Sequence, residues 1–117
     1  MKAITQRVSS AKVCIKDKTH ASIKKGILAY VCFEQDDNED VIDKFINKIL
    51  NYNFFEEDTN IMSASLKEIE GELMIISQFT LAAITKRGNK PSFHKALDSK
   101  RANTCLLYTS DAADDRM

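Results

Sequence analysis

The sequence predicts one mixed α/β domain, and three stretches carry that expectation. Ile27 to Phe33 is apolar throughout and rich in strand formers. Val41, Ile42, Phe45, Ile46, Ile49 and Leu50 recur at helical spacing opposite Asp43, Lys44, Asn47 and Lys48. Leu73 to Ile76 is a second apolar run with β-branched content, the mark of a strand buried on both faces. At 117 residues, with 44% hydrophobic and 29% charged, the chain is sized and composed as one ordinary globular domain.

Taken in order, the chain opens with a meander. Residues 2–8 alternate weakly as a strand, Ser9-Ser10 breaks it, and Ala11, Val13 and Ile15 alternate with Lys12, Cys14 and Lys16. Asp17 to His20 is a polar turn, Ala21 to Lys24 a short strand, and Lys25-Gly26 a turn into the strand 27–33, the central one. The acidic run Glu34 to Asp40 reads as a helix start, with Asp36, Asp37 or Asn38 as the cap. It is not a calcium loop, because no glycine and no ordered ligand spacing follow. Asn51 to Asn53 ends the helix, and Phe54-Phe55 begins a strand that Glu56 to Asn60 interrupts, with Asn60 at a left-handed turn position. Ile61 to Ile69 is less regular, with a helical turn around Leu66 to Ile69.

The stretch around which the rest is organised runs from Gly71, which releases the chain into a strand, to Leu81. Strand alternation would put Leu73, Ile75, Ser77, Phe79 and Leu81 on one face and Met74, Ile76, Gln78 and Thr80 on the other. A buried hydroxyl or amide without a partner costs roughly 1–3 kcal/mol, so Ser77, Gln78 and Thr80 must bind backbone, water or ligand. After Leu81 comes a basic, loop-like run containing Lys86, Arg87 and Lys90, followed by Pro91, Ser92 and Phe93; it is either a solvated loop or a phosphate-contacting one. His94 to Ala102 is mildly helical. From Thr104 to Met117 that periodicity dissolves into a small acidic tail, which resembles translated sequencing-adapter read-through. The domain is therefore assigned to 1–103 and a non-native tail to 104–117.

Composition excludes several classes. With 17 basic and 17 acidic residues the formal net charge is zero, so no global basic field advertises nucleic acid. Three cysteines (Cys14, Cys32 and Cys105), without Cys-x-x-Cys spacing, argue against a disulfide framework or a zinc site. The N-terminus lacks a signal-peptide core and no apolar run approaches the ~20 residues of a membrane helix, so a cytoplasmic protein without metal or membrane partners is expected. There is no Gly-x-Ser-x-Gly elbow, phosphate-binding glycine loop or His-Glu-x-x-His. A Cys32–His94 hydrolase would need a reactive thiol, and a thiol in an apolar strand is usually inert.

Three motifs point further. Met-Lys-Ala-Ile-Thr-Gln-Arg-Val-Ser-Ser-Ala-Lys-Val at the start, Ile-Ser-Gln-Phe-Thr-Leu at 76–81, and Arg87-Gly88 with Pro91-Ser92-Phe93 resemble the D-aminoacyl-tRNA deacylases, from Met1 to about Asn103. Asn60 stands where that family commonly has glycine, and Met62-Ser63-Ala64 departs from its Met-Asn-Leu. The resemblance implies a small barrel-like, mainly antiparallel sheet packed with helices, working as a homodimer without cofactor. It implies an ester hydrolase that removes D-amino acids, and mischarged glycine, from the terminal adenosine of tRNA. Ser77, Gln78, Phe79 and Thr80 would line the catalytic pocket and stabilise the oxyanion, Pro91, Ser92 and Phe93 would support it, and Lys86, Arg87 and Lys90 would contact tRNA phosphates. A tRNA 2′-hydroxyl would assist, which fits the missing base beside Thr80. The family's Asn-x-Gly-Pro-x-Thr motif, which rejects L-amino acids, has no counterpart after Asn103, so the sequence reads as a truncated and inactive form of a deacylase. The alternatives are a noncatalytic nucleic-acid-binding module and an inactive fragment of the same fold.

Overall fold

The computed structural model describes residues 1–57, 60–83, 92, 93 and 95–116. Strands β1 (Lys2–Val8), β2 (Ala11–Ile15), β3 (Lys18–Ile23) and β4 (Gly26–Cys32) form the opening meander. Helix α1 (Glu39–Asn51), β5 (Phe55–Glu57), β6 (Asn60–Ala64) and β7 (Glu72–Ser77) follow, then a 3₁₀ turn at Phe79–Ala82 and helix α2 (Ser99–Arg116). β4 is central in a mixed sheet of order β1-β4-β7, antiparallel to β1 and parallel to β7. β2 and β3 form an antiparallel hairpin, as do β5 and β6.

Local chemistry explains most boundaries. β3 begins at Lys18, earlier than expected, because the β2–β3 loop has only two residues. Lys16 (φ 50°) and Asp17 (φ 66°) both lie in the left-handed region, as a tight hairpin whose twist matches its strands requires. Asn38 proves to be the cap of α1, its Oδ1 accepting from Val41 N–H at 3.0 Å, while Glu39 and Asp40 fill the first turn. Ile42, Ile46, Ile49 and Leu50 turn inward against Ile27, Ala29, Val31 and Phe33 of β4 and its extension. Each fully buried isoleucine or leucine stabilises by roughly 1.5–3 kcal/mol. The left-handed residue described in the β5–β6 hairpin is Met62 (φ 57°), within β6, and the turn expected at Leu66 to Ile69 is present after the strand.

Two expectations fail. β7 is not buried on both faces: Met74 is buried, but Leu73, Ile75 and Ile76 are only half-buried, because among the described strands β7 lies at the sheet's edge and β4 holds its centre. Nor does helical periodicity stop at Asn103. α2 runs on to Arg116 and turns Ala102, Cys105, Leu106, Ala112 and Ala113 to the core. Thr109 is wholly buried on the same face and satisfies its hydroxyl on the Cys105 carbonyl at 2.7 Å. Tyr108 O–H donates to Asp43 of α1 at 2.9 Å, tying the two helices. No described helix is long and apolar enough to cross a membrane.

Two fixtures hold the sheet in place. At Gly26 a β-carbon would overlap the backbone of Glu72, so only glycine lets β4 and β7 start side by side. At the other end the Met1 ammonium donates to Asp37 at 2.7 Å and Glu34 at 3.0 Å. Burial alone would lower the amine's pKa, but the hydrogen bonds and charges of Asp37 and Glu34 outweigh it and raise the pKa above 8.0.

Overpacking costs about 1–3 kcal/mol, and here the obstacle is backbone, so Gly26→Ala is expected to lose about 3 kcal/mol in urea unfolding. For the amine, the protonated form favours the fold. Its contribution is complete below about pH 8 and is lost as pH rises through the raised value, so urea midpoints should fall through that range. Asp37→Asn should flatten the decline.

Candidate functional site

The site is set by where β7 stops. Its last residue, Ser77, pairs in parallel register with Val31, and the next N–H, that of Gln78, donates to the Val31 carbonyl at 2.6 Å. The chain then leaves the sheet. Leu81 N–H bonds back to the Gln78 carbonyl at 3.4 Å and Ala83 N–H to that of Thr80 at 3.2 Å, closing one 3₁₀ turn. Strand alternation therefore ends at Ser77, and the expected two-faced arrangement of Phe79, Thr80 and Leu81 is replaced by a turn. Ala82 points inward and is buried, while Gln78, Phe79 and Thr80 are exposed at the strand's end. For Phe79, 54% exposed, this is an unusual position for a large aromatic ring.

Beside the turn lies a groove of about 390 Å³. Ser77 and Phe79 form one wall, and Phe93, Leu97, Asp98, Ser99, Ala102 and Asn103 contribute to the other. The Phe79 and Phe93 rings meet edge to face, centroids 5.1 Å apart. The far wall is anchored to the extension of β4. Leu97 N–H donates to the Phe33 carbonyl at 2.8 Å, Gln35 N–H to the Lys95 carbonyl at 3.1 Å, and Glu34 bridges with Ala96. Asp98 caps the start of α2, its carboxylate accepting from Arg101 N–H at 3.2 Å.

Among the sequence-derived candidates, the structure thus gathers Ser77, Phe79 and Phe93 around one groove, with Gln78 and Thr80 on the adjoining turn. Ser92 is exposed next to Phe93. Lys86, Arg87, Lys90 and Pro91 lie outside the described residues, as does His94. The groove's far wall at 96–103 was not singled out in the sequence. Its residues carry no chemical signature and reach the site only through the tertiary bonds to Phe33 and Gln35.

Cys32 lies directly beneath the turn. It is 1% exposed, and burial pushes its thiol pKa up, with the Glu34 charge adding to the effect. That is the environment of an inert thiol, not of a nucleophile. Cys105 is likewise raised by burial first and by Asp37 second, whereas Cys14 is exposed. Among the described residues no group of three or more His, Cys, Asp or Glu is placed to hold a metal.

Known proteins share this arrangement of sequence and fold. The family model described as D-Tyr-tRNA(Tyr) deacylase matches residues 4–117. D-aminoacyl-tRNA deacylase of Flavobacterium psychrophilum is 47% identical over 110 residues, covering 94% of this chain and 72% of the relative. That of Haemophilus influenzae (strain Rd) is 43% identical over 108 residues, covering 92% and 75%. A solved structure described as c-Myc DNA Unwinding Element Binding Protein superposes with a TM-score of 0.92 at 29% identity, over 99% of this chain and 78% of the other. A probable eukaryotic D-amino acid tRNA deacylase superposes with a TM-score of 0.78 over 95% of this chain and 65% of the other; at 15% identity this concerns the fold alone.

Proposed function

The chain belongs to the D-Tyr-tRNA(Tyr) deacylase family, and from this premise we propose that it hydrolyses the ester joining a D-amino acid to tRNA, a proofreading step in translation. The observation that carries the reading to particular residues is the exposed turn at the end of β7, opening on the groove between Phe79 and Phe93.

The ester's terminal adenosine offers a flat apolar base and a ribose, and the two aromatic rings with the half-buried Ser77 suit such a ligand. The first N–H groups of a helical turn have no partner within it, so those of Phe79 and Thr80 are free of the turn's own ladder and suit the ester carbonyl. Water adds to that carbonyl, the oxyanion is stabilised by these N–H groups, and collapse breaks the bond to the ribose oxygen, which leaves with a proton. No basic side chain lies in the turn, so the tRNA's own 2′-hydroxyl assists the proton transfer. Gln78 and Thr80 orient the ester from the exposed side. Lys86, Arg87 and Lys90 contact tRNA phosphates, and Pro91, Ser92 and Phe93 support the substrate pocket. Glycine mischarged on tRNA is a second substrate, and the reaction takes place in the cytoplasm.

A homodimer accounts for the exposed apolar residues near the site. Phe79 and Ile4 are each more than half exposed, and β1 leaves one edge unpaired among the described strands. The DNA-unwinding-element neighbour favours a second reading, nucleic-acid binding without turnover.

Single-turnover hydrolysis of D-tyrosyl-tRNA separates the two. Thr80→Ala and Ser77→Ala are expected to slow hydrolysis roughly 10²-fold with tRNA binding kept within a few fold, the pattern of lost transition-state stabilisation. Binding by the unsubstituted protein with no D-selective hydrolysis would favour the noncatalytic reading instead.

A further inference from the structure

Cys32 takes no part in the chemistry described above, yet it is among the most buried side chains of the molecule, at the one place where the sheet meets the site. Its neighbour Val31 holds Gln78, the residue before the turn, through a 2.6 Å hydrogen bond. Cys32 is the next residue along β4, and its side chain reaches the turn itself. The sulfur lies 3.6 Å from the Phe79 carbonyl, at the turn's first residue. The turn's last residue, Ala82, is buried to the same degree as Cys32. A second carbonyl, that of Phe33, lies 3.7 Å away, but it already accepts from Leu97 N–H at 2.8 Å.

A thiol is a weak donor, and in this position its S–H reaches the carbonyl at the start of the turn. It also fills the space between the end of β4 and the turn, where Ala82 is equally buried. The charges that act on it are the Glu34 carboxylate, which raises its pKa, and the amino terminus and Lys2, which lower it. Burial keeps the sulfur protonated, so the S–H remains available to the Phe79 carbonyl.

We infer that Cys32 is a positioning residue for the proposed ester hydrolysis: packed between β4 and the 3₁₀ turn, its thiol holds the Phe79 carbonyl and so fixes the peptide plane that carries the Thr80 N–H. Val31 sets where the turn begins, and Cys32 sets its height above the sheet and its tilt. This inference rests on the hydrolase reading for its function, but its structural content does not depend on turnover.

The test compares Cys32→Ala and Cys32→Ser with the unsubstituted chain, using Cys14→Ala as the control because Cys14 is exposed on the β2–β3 hairpin. Native-state hydrogen exchange is read residue by residue, and hydrolysis of D-tyrosyl-tRNA alongside it. In Cys32→Ala the hydrogen-bonded amides of the turn, those of Leu81 and Ala83, should exchange about tenfold faster, while those of β4 and α1 keep their protection, a local rather than a global opening. The kcat should fall about tenfold with KM changed less than about twofold, since the lost interaction acts on orientation in the transition state. Cys32→Ser, which keeps a hydrogen-bonding side chain, should recover part of both effects, and Cys14→Ala should change neither.

Unchanged exchange at Leu81 and Ala83 in Cys32→Ala would overturn the inference, and so would an equal loss of protection in every element, because either shows that the thiol does not act on the turn in particular. If the unsubstituted chain shows no hydrolysis, the hydrolase reading fails, and the exchange pattern alone decides the role of Cys32.

Discussion

Parallel pairing between β4 and β7 is the constraint on which the site depends. It is fixed at one end by contact: Gly26 lies so close to the Glu72 backbone that no side chain fits, and this sets the register Gly26 opposite Glu72. Five residues on, the same register brings Val31 opposite Ser77. At ~3.3 Å per residue, a close approach is thus converted into a defined strand end roughly 16 Å away. The Val31 carbonyl captures the Gln78 N–H, the chain turns off the sheet, and an aromatic ring that an extended strand would have directed along one face is presented at its tip.

The rest of the molecule supports that geometry from behind. α1 buries its apolar stripe against β4, which keeps the central strand from shifting. The amino terminus, held by Asp37 and Glu34, pins the first residue of the chain next to the extension of β4. That extension then binds Leu97 and Lys95, and so brings the start of α2 to the far side of the groove. Each wall of the groove therefore hangs from the same strand. A groove built this way is preorganised, which is what stabilisation of a developing charge demands.

Much of this could be read from the sequence, and the limits are instructive. β1 to β4, β7 and α1 were legible from apolar runs and from repeats of two and 3.6, whereas β6, in the irregular stretch that begins at Asn60, was not. Ser77 to Thr80 were marked by polar residues entering an apolar run without a turn signal. The turn itself was not legible, because nothing in Gln-Phe-Thr-Leu breaks a strand locally; the Val31 carbonyl and the end of the sheet do so. α2 beyond Asn103 was missed for a different reason. Its inward positions use the buried Thr109 and Ala113 and the half-buried Ala112, small residues that give little hydrophobic contrast yet fit close against the rest of the core. Cys32 read as an ordinary apolar strand residue, since its contact with Phe79 joins positions 47 residues apart.

The most direct measurement is amide chemical-shift mapping with a non-hydrolysable 3′-amide analogue of D-tyrosyl-adenosine. The largest shifts should fall on Ser77 to Ala83 and on Phe93, with smaller ones at Asp98 and Ser99. Large shifts confined to another cavity, such as that between Gly71, Leu73 and Ala113 at the β7–α2 contact, with the turn unmoved, would contradict the account.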